Sequence, residues 1–256
     1  MDPFTQGIVG STAAQVVSKK NKIIIASIVG LLAGLAPDLD IFIRSSSDPL
    51  LFLEFHRHFT HSLIFIPIGS VICALVFYYI FTKRFSLSFK ETYFYSFLGY
   101  ATHGIIDSFT TYGTLLFWPF TDDRIAWNTV SVIDPLFTVP ILILVLVSIK
   151  KRNKTFSIYA IIWIVLYQTV AYAQKIRAEE IIYNYAQTFE HEIESIEAKP
   201  SFGNIIVWKV IYSTSDRYYV NAIRLALDHK IYPGESIEKL DIRKSFPWLS
   251  SNSQQA

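Results

Sequence analysis

The chain has 256 residues, 52% hydrophobic and only 17% charged, with a mean hydropathy of +0.34. That composition excludes a disordered or collagen-like chain, and a net charge of +2 supplies no field for steering onto nucleic acid. The single cysteine, Cys73, excludes an intrachain disulfide and a thiolate zinc cluster.

Charge is unevenly spread. Residues 1–174 contain 23 Lys, Arg, Asp and Glu, whereas the far shorter stretch 175–256 contains 21. Two solvents explain this, lipid for the first part and water for the second. The expected architecture is mainly α: a polytopic membrane bundle of five to six helices over 1–173. A small β-rich or α+β soluble module follows over 174–256.

In chain order, Gly7–Val17 reads as a weak, short span, and nearly as well as an amphipathic or re-entrant helix. Ile23–Ile43 is apolar up to Pro37 and ends on Asp38 and Asp40. Ser62–Phe81 is the clearest span, with no charge in the roughly 20 residues that a ~30 Å hydrocarbon core demands. Thr92–Phe109 is aromatic and apolar but contains His103 and Asp107. Ile133–Ile149 and Phe156–Ala173 complete the set. The tail opens with a polar helical stretch, Gln174–Glu197. Pro200 and Gly203 then break the chain, and Ile205–Ser213 and Tyr218–Leu227 alternate as strands of a hairpin turning at Ser215–Arg217.

Basic residues concentrate in three short loops: Lys19, Lys20 and Lys22; Lys83, Arg84 and Lys90; Lys150, Lys151, Arg152 and Lys154. Cytoplasmic loops are Lys- and Arg-rich. These loops are therefore expected inside, and residues 40–61, 108–132 and the tail outside. No cleavable signal peptide is apparent.

Ionisable side chains at membrane depth are costly and mark function. Here they fall on one predicted side. Asp38 and Asp40 end one span, and His56, Arg57, His58 and His61 precede the next. His103 and Asp107, four apart, share a helix face near the outer boundary. Each piece has a bland reading: a helix terminus, a polar loop, a chance pair. Together they read as a divalent-metal site of one or two ions. Mixed His and Asp donors suit zinc, and also manganese or iron. Arg57 is a candidate anion clamp or an interfacial headgroup contact. Asp134 is a candidate helix cap or an additional site residue.

The ordered motifs resemble a known family. They are Asp2-Pro3-Phe4-Thr5-Gln6-Gly7, Gly34-Leu35-Ala36-Pro37-Asp38-Leu39-Asp40 and His56-Arg57-His58-Phe59-Thr60-His61-Ser62. His103-Gly104-Ile105-Ile106-Asp107 follows, with Thr110 to Thr114, Trp118-Pro119-Phe120 and Ile133-Asp134-Pro135-Leu136. This set is similar to the LexA-regulated, membrane-bound metal-dependent hydrolases, the YdjM/YbcI-like inner-membrane proteins. The resemblance covers about residues 1–140 and its helical continuation to about 173. It implies a hydrolase whose metal is held by Asp38, Asp40, His56, His61, His103 and Asp107, with His58 at a variable position. Asp38, Arg57 and Asp107 are the residues expected at the chemistry. A looser likeness to zinc phospholipases C and P1-type nucleases favours phosphoesters.

One position departs. The family's opening motif usually has histidine where this chain has Gln6. An amide oxygen binds hard cations but is a poor zinc ligand. The position is then peripheral, or one metal is weakened, or activity is lost. The expected function is an integral-membrane metal-dependent hydrolase with an outward-facing site, acting on a lipid or envelope phosphoester. Its expected partners are membrane lipid and a small-molecule or lipid substrate, without nucleic acid, in a bacterial or archaeal cytoplasmic (inner) membrane. A cation or proton transporter, and a non-catalytic membrane scaffold, are the alternatives.

Overall fold

A computed structural model describes residues 1–45, 55–241, 245, 246 and 248. Among them are six α-helices: α1 (Pro3–Val17), α2 (Ile23–Leu35), α3 (Ile66–Ile80), α4 (Phe89–Ser108), α5 (Pro135–Lys151) and α6 (Thr155–Gln187). Four strands follow: β1 (Ser195–Pro200), β2 (Val207–Ser213), β3 (Arg217–Leu225) and β4 (His229–Glu238). The chain forms two compact units, one of residues 1–173 and 200–205, the other of 174–199 and 206–256.

Among the described residues, three segments are long and apolar enough to cross a membrane: Ile23–Phe42, Leu63–Ile80 and Thr155–Gln187. The outward faces of these helices are aliphatic, including Ile28, Leu31, Ile68, Ile72, Val76, Ile162 and Val165. Such a surface suits hydrocarbon, where close van der Waals packing and interhelical hydrogen bonds rather than apolar burial hold helices together. α4 is 20 residues long but less apolar, because it is an interior helix. Its Tyr95, Ser96, Gly99, Tyr100 and His103 are all buried. α5, at 17 residues, spans only about 26 Å.

Glycines bring α1, α2 and α4 together. A Cβ on Gly10 would lie 2.4 Å from the Gly30 carbonyl oxygen, and a Cβ on Gly99 would lie 2.4 Å from the same atom. Only hydrogen fits at these crossings, the small-residue packing expected in lipid. Ala14, Ile25, Ala26, Val29, Leu87 and Tyr95 fill the adjoining core. A buried polar clasp adds direction: Gln15 Nε2 donates to Ser27 Oγ (2.7 Å), and Ser157 Oγ donates to Gln15 Oε1 (2.6 Å). Helix termini follow sequence chemistry. Asp2 caps α1, Ser88 and Glu91 form a capping box on α4, and Asp134 caps α5.

In the second unit the sheet order is β1-β2-β3-β4, with β2–β3 and β3–β4 antiparallel. The expected hairpin is present, with Ser213 paired to Tyr218. The expected polar helix is corrected. It is the continuation of α6 and stops at Gln187, and Ser195–Glu197 belong to β1. Strand β4 escapes periodicity reading because nearly all of it is exposed and it contains Pro233 and Gly234.

Candidate metal centre

Asp38 and Asp40 ride on a 3₁₀ turn, Ala36–Phe42, that continues α2 beyond Leu35. With about three residues per turn, carboxylates two apart diverge. Asp38 is partly exposed, with a side chain 24% accessible, whereas Asp40 is buried. A second 3₁₀ turn, Phe59–His61, presents His61. It lies flush on α4 at Gly104, where a Cβ would come 2.2 Å from the His61 carbonyl oxygen. One residue earlier on α4, His103 faces the same point, and Asp107 is one turn further along.

Four donor atoms from these segments converge. His61 Nε2 lies 2.9 Å from His103 Nε2, 3.4 Å from Asp38 Oδ1 and 3.5 Å from Asp107 Oδ2. His103 Nε2 lies 3.3 Å from Asp38 Oδ1. Ligands about 2.0–2.1 Å from a tetrahedral zinc are separated by about 3.3–3.4 Å; the Asp38 and Asp107 contacts lie close to this, and the two histidine Nε2 atoms are closer together at 2.9 Å.

The hydrogen-bond pattern fixes what these atoms offer. His103 Nδ1 donates to the Gly34 carbonyl (2.6 Å), so neutral His103 presents an Nε2 lone pair. His61 Nδ1 lies 3.0 Å from Thr60 Oγ1 and 3.3 Å from Asp40 Oδ2. Thr60 Oγ1 itself donates to Asp40 Oδ2 (2.8 Å), leaving it an acceptor for His61 Nδ1–H. Neutral His61 therefore also presents an Nε2 lone pair. Two lone pairs facing each other among carboxylates call for a cation or a proton between them. Burial opposes charge on His61, yet Asp38 and Asp40 hold its pKa above the ordinary value.

The surrounding residues sort by their contacts. Asp40 accepts from the Arg57 backbone N–H (3.1 Å) and Thr60, and its Oδ1 lies 2.9 Å from His56 Nδ1. Asp38, Asp40 and His56 form a second group of donors adjacent to the four, sharing Asp38 with it. Arg57 is buried, with Nε 3.1 Å from Asp107 Oδ2, Nη1 donating to Thr110 Oγ1 (3.2 Å), and its guanidinium over Tyr112. Gln6 Nε2 donates to Asp107 Oδ1 (2.6 Å), which the Met1 amino group also contacts. Gln6 Oε1 is buried without a hydrogen-bond partner.

Two sequence candidates lie elsewhere. The His58 ring packs against Phe55, Phe59 and Trp118. Asp134 Oδ1 accepts from the backbone N–H groups of Leu136 and Phe137, and Tyr167 donates to its Oδ2 (2.6 Å). That is helix capping. Gly34, Thr60 and Gly104 support the cluster without having been singled out by spacing. Thr60 lies inside the His-rich motif, which was its only signal.

The sequence pattern of the YdjM inner membrane protein family matches residues 1–177. The chain belongs to that family. Its four converging donors and two of its apolar spans lie within the matched region, and the third begins inside it, so this YdjM-family chain is a membrane protein with a His/Asp cluster able to hold a metal ion. It is also similar to Uncharacterized protein YfhP of Bacillus subtilis (strain 168), 26% identical over 199 residues. That match takes in 76% of this chain and 58% of YfhP, so the chain spans little more than half of that relative. No solved structure matches.

Proposed function

We propose that this YdjM-family chain is a metal-dependent hydrolase of lipid phosphoesters. Its site would open on the extracytoplasmic side of a bacterial or archaeal cytoplasmic membrane. The observation that carries the reading is the convergence of His61 Nε2, His103 Nε2, Asp38 Oδ1 and Asp107 Oδ2 beside a buried guanidinium. The donor set fits a divalent cation: the carboxylates of Asp38, Asp40 and Asp107 stand against the Arg57 guanidinium and the Met1 amino group, and no thiolate is among the donors. Two imidazoles favour zinc over magnesium or calcium, with manganese or iron as the other candidates.

His61, His103, Asp38 and Asp107 would hold the ion. A bound divalent ion lowers the pKa of water toward neutrality and polarises a phosphoryl oxygen. Asp40 orients His61 through Nδ1, the carboxylate–histidine arrangement that raises ligand basicity. Asp38, the more accessible of the two ligand carboxylates, is placed to take a proton. Arg57 is preorganised by Asp107, Thr110 and Tyr112, and its planar donors suit an anionic phosphoryl group. Gln6, donating to Asp107, acts as a support for that carboxylate rather than as a ligand. The outward placement rests on the three basic loops lying inside.

The test uses full-length protein in detergent. Metal content is measured by elemental mass spectrometry for the wild type, His103→Ala and Asp107→Ala, alongside phosphate release from p-nitrophenyl phosphate and phosphatidic acid. Zinc retained by the wild type and lost in both variants, with phosphate release following it, is the expected result. Full metal retention in both variants would remove the proposal.

A further inference from the structure

A cavity of the first unit is at the other end of the bundle from the His/Asp cluster. It has a volume of about 620 Å³ and is lined by Lys19, Lys20, Lys151, Arg152 and Lys154, with Ser18 and Ile23 at its base. From Gln6, which touches Asp107, to Ser18 the chain advances about 18 Å along and past α1. The cavity therefore lies near the opposite membrane boundary.

Its charge is uncompensated. Lys22, next to the cavity in sequence, is neutralised by Glu91, with Nζ 2.7 and 2.8 Å from the two carboxylate oxygens. The five cations that line the cavity make no ion pair with any carboxylate among the described residues. They come from two separate connections, α1 to α2 and α5 to α6, which converge without an acidic group between them. Five unpaired cations around one concavity repel one another, and an anion seated among them relieves that repulsion.

We propose that this cavity binds the phosphate headgroup of an anionic membrane lipid. The location selects the source of the phosphate. The lining residues terminate helices whose outward faces are aliphatic, including Ile24 and Ile28 of α2 and Ile158 and Ile162 of α6. A headgroup in the cavity leaves its acyl chains alongside these side chains, and basic pockets between membrane helices are suited to such headgroups. A free phosphate would gain only the charge contacts. This site is independent of the metal centre and would hold in a chain without hydrolytic activity.

Native mass spectrometry of the full-length protein, released from mixed micelles of phosphatidylglycerol and phosphatidylcholine, tests it. The wild type should retain phosphatidylglycerol in preference to phosphatidylcholine. Lys20→Gln/Lys151→Gln/Lys154→Gln should lower phosphatidylglycerol retention at least about tenfold. Lys83→Gln/Lys90→Gln, which removes charge from a basic loop outside the cavity, should not. Equal loss in both variants, equal retention of the two lipids, or displacement of phosphatidylglycerol by millimolar inorganic phosphate would each overturn the proposal. Should the triple variant fail to fold, the wild type alone decides. Retention that collapses between 0.05 and about 0.5 M salt supports it, and salt-independent retention overturns it.

Discussion

The Nε2 atoms of His61 and His103 face each other across 2.9 Å although 42 residues separate the two histidines. Each ring has its Nδ1 committed to an acceptor on its far side, His103 to Gly34 and His61 to Thr60 and Asp40. The pair is thus aimed at a shared positive charge. Asp38 and Asp107 close the other two sides.

Asp40 tests whether that aim matters. Asp40→Asn keeps the shape but replaces one acceptor oxygen with an amide nitrogen, so either the Arg57 N–H and Thr60 at Oδ2 or His56 at Oδ1 loses its acceptor. Metal affinity should fall about 10–100-fold with the fold retained, as measured by chelator competition. An unchanged affinity would show that Asp40 does not orient His61.

Gly104 tests the backbone contact that delivers His61. In Gly104→Ala the new methyl would lie 2.2 Å from the His61 carbonyl oxygen, so the 3₁₀ turn must move. The variant should lose about 1–3 kcal/mol of stability and most of its metal. Thermal melting and elemental analysis read the two effects separately. Normal metal content with normal melting would show that the turn has room to shift.

Asp134 separates capping from chemistry. Asp134→Ala removes the α5 cap, worth about 1 kcal/mol, and strips Tyr167 of its acceptor, costing about 1–3 kcal/mol more. Melting should drop while metal content stays at the wild-type value. Metal loss in a folded Asp134→Ala protein would return this residue to the site.

Tyr212 makes an alkaline prediction for the second unit. Burial first, and then Tyr219 and Tyr185, push its hydroxyl up to about 12. A raised acid pKa favours the protonated folded form, so its contribution is complete below the unfolded value of about 10. It is lost as pH rises from there through about 12. Between those pH values the wild type should lose melting temperature faster than Tyr212→Phe. Parallel curves would place the Tyr212 hydroxyl at its ordinary value.

Some elements were legible because local chemistry dictates them. The hairpin of β2 and β3 follows from alternation, and Asp134 sits at a helix start for reasons of capping. The apolar run at Leu63–Ile80 needs nothing beyond its own composition. Other elements were not legible. Strand β4 is exposed and carries Pro233 and Gly234, ordinarily strand-breaking signals, and exists because β3 offers it an edge. The helix reading runs past the end of α6 because Glu190, Glu192, Glu194 and Glu197 fit a solvated helix as well as a loop and an edge strand. In the metal centre, the inventory of Asp and His was visible, but its division was not. Asp38 and Asp40 are neighbours in one turn, yet one faces the histidine pair and the other holds the turn that carries His61.

By itself the sequence determined a membrane chain, its apolar runs, its basic loops and the side chains that could meet a metal. Those follow from hydropathy, charge and residue type, which are properties of each position and its near neighbours. The tertiary structure alone decided which donor atoms converge, which carboxylate orients a histidine, and where five cations surround one cavity. Those depend on glycine-mediated crossings and on contacts between segments remote in the chain, where a displacement of about one ångström separates a ligand from a bystander.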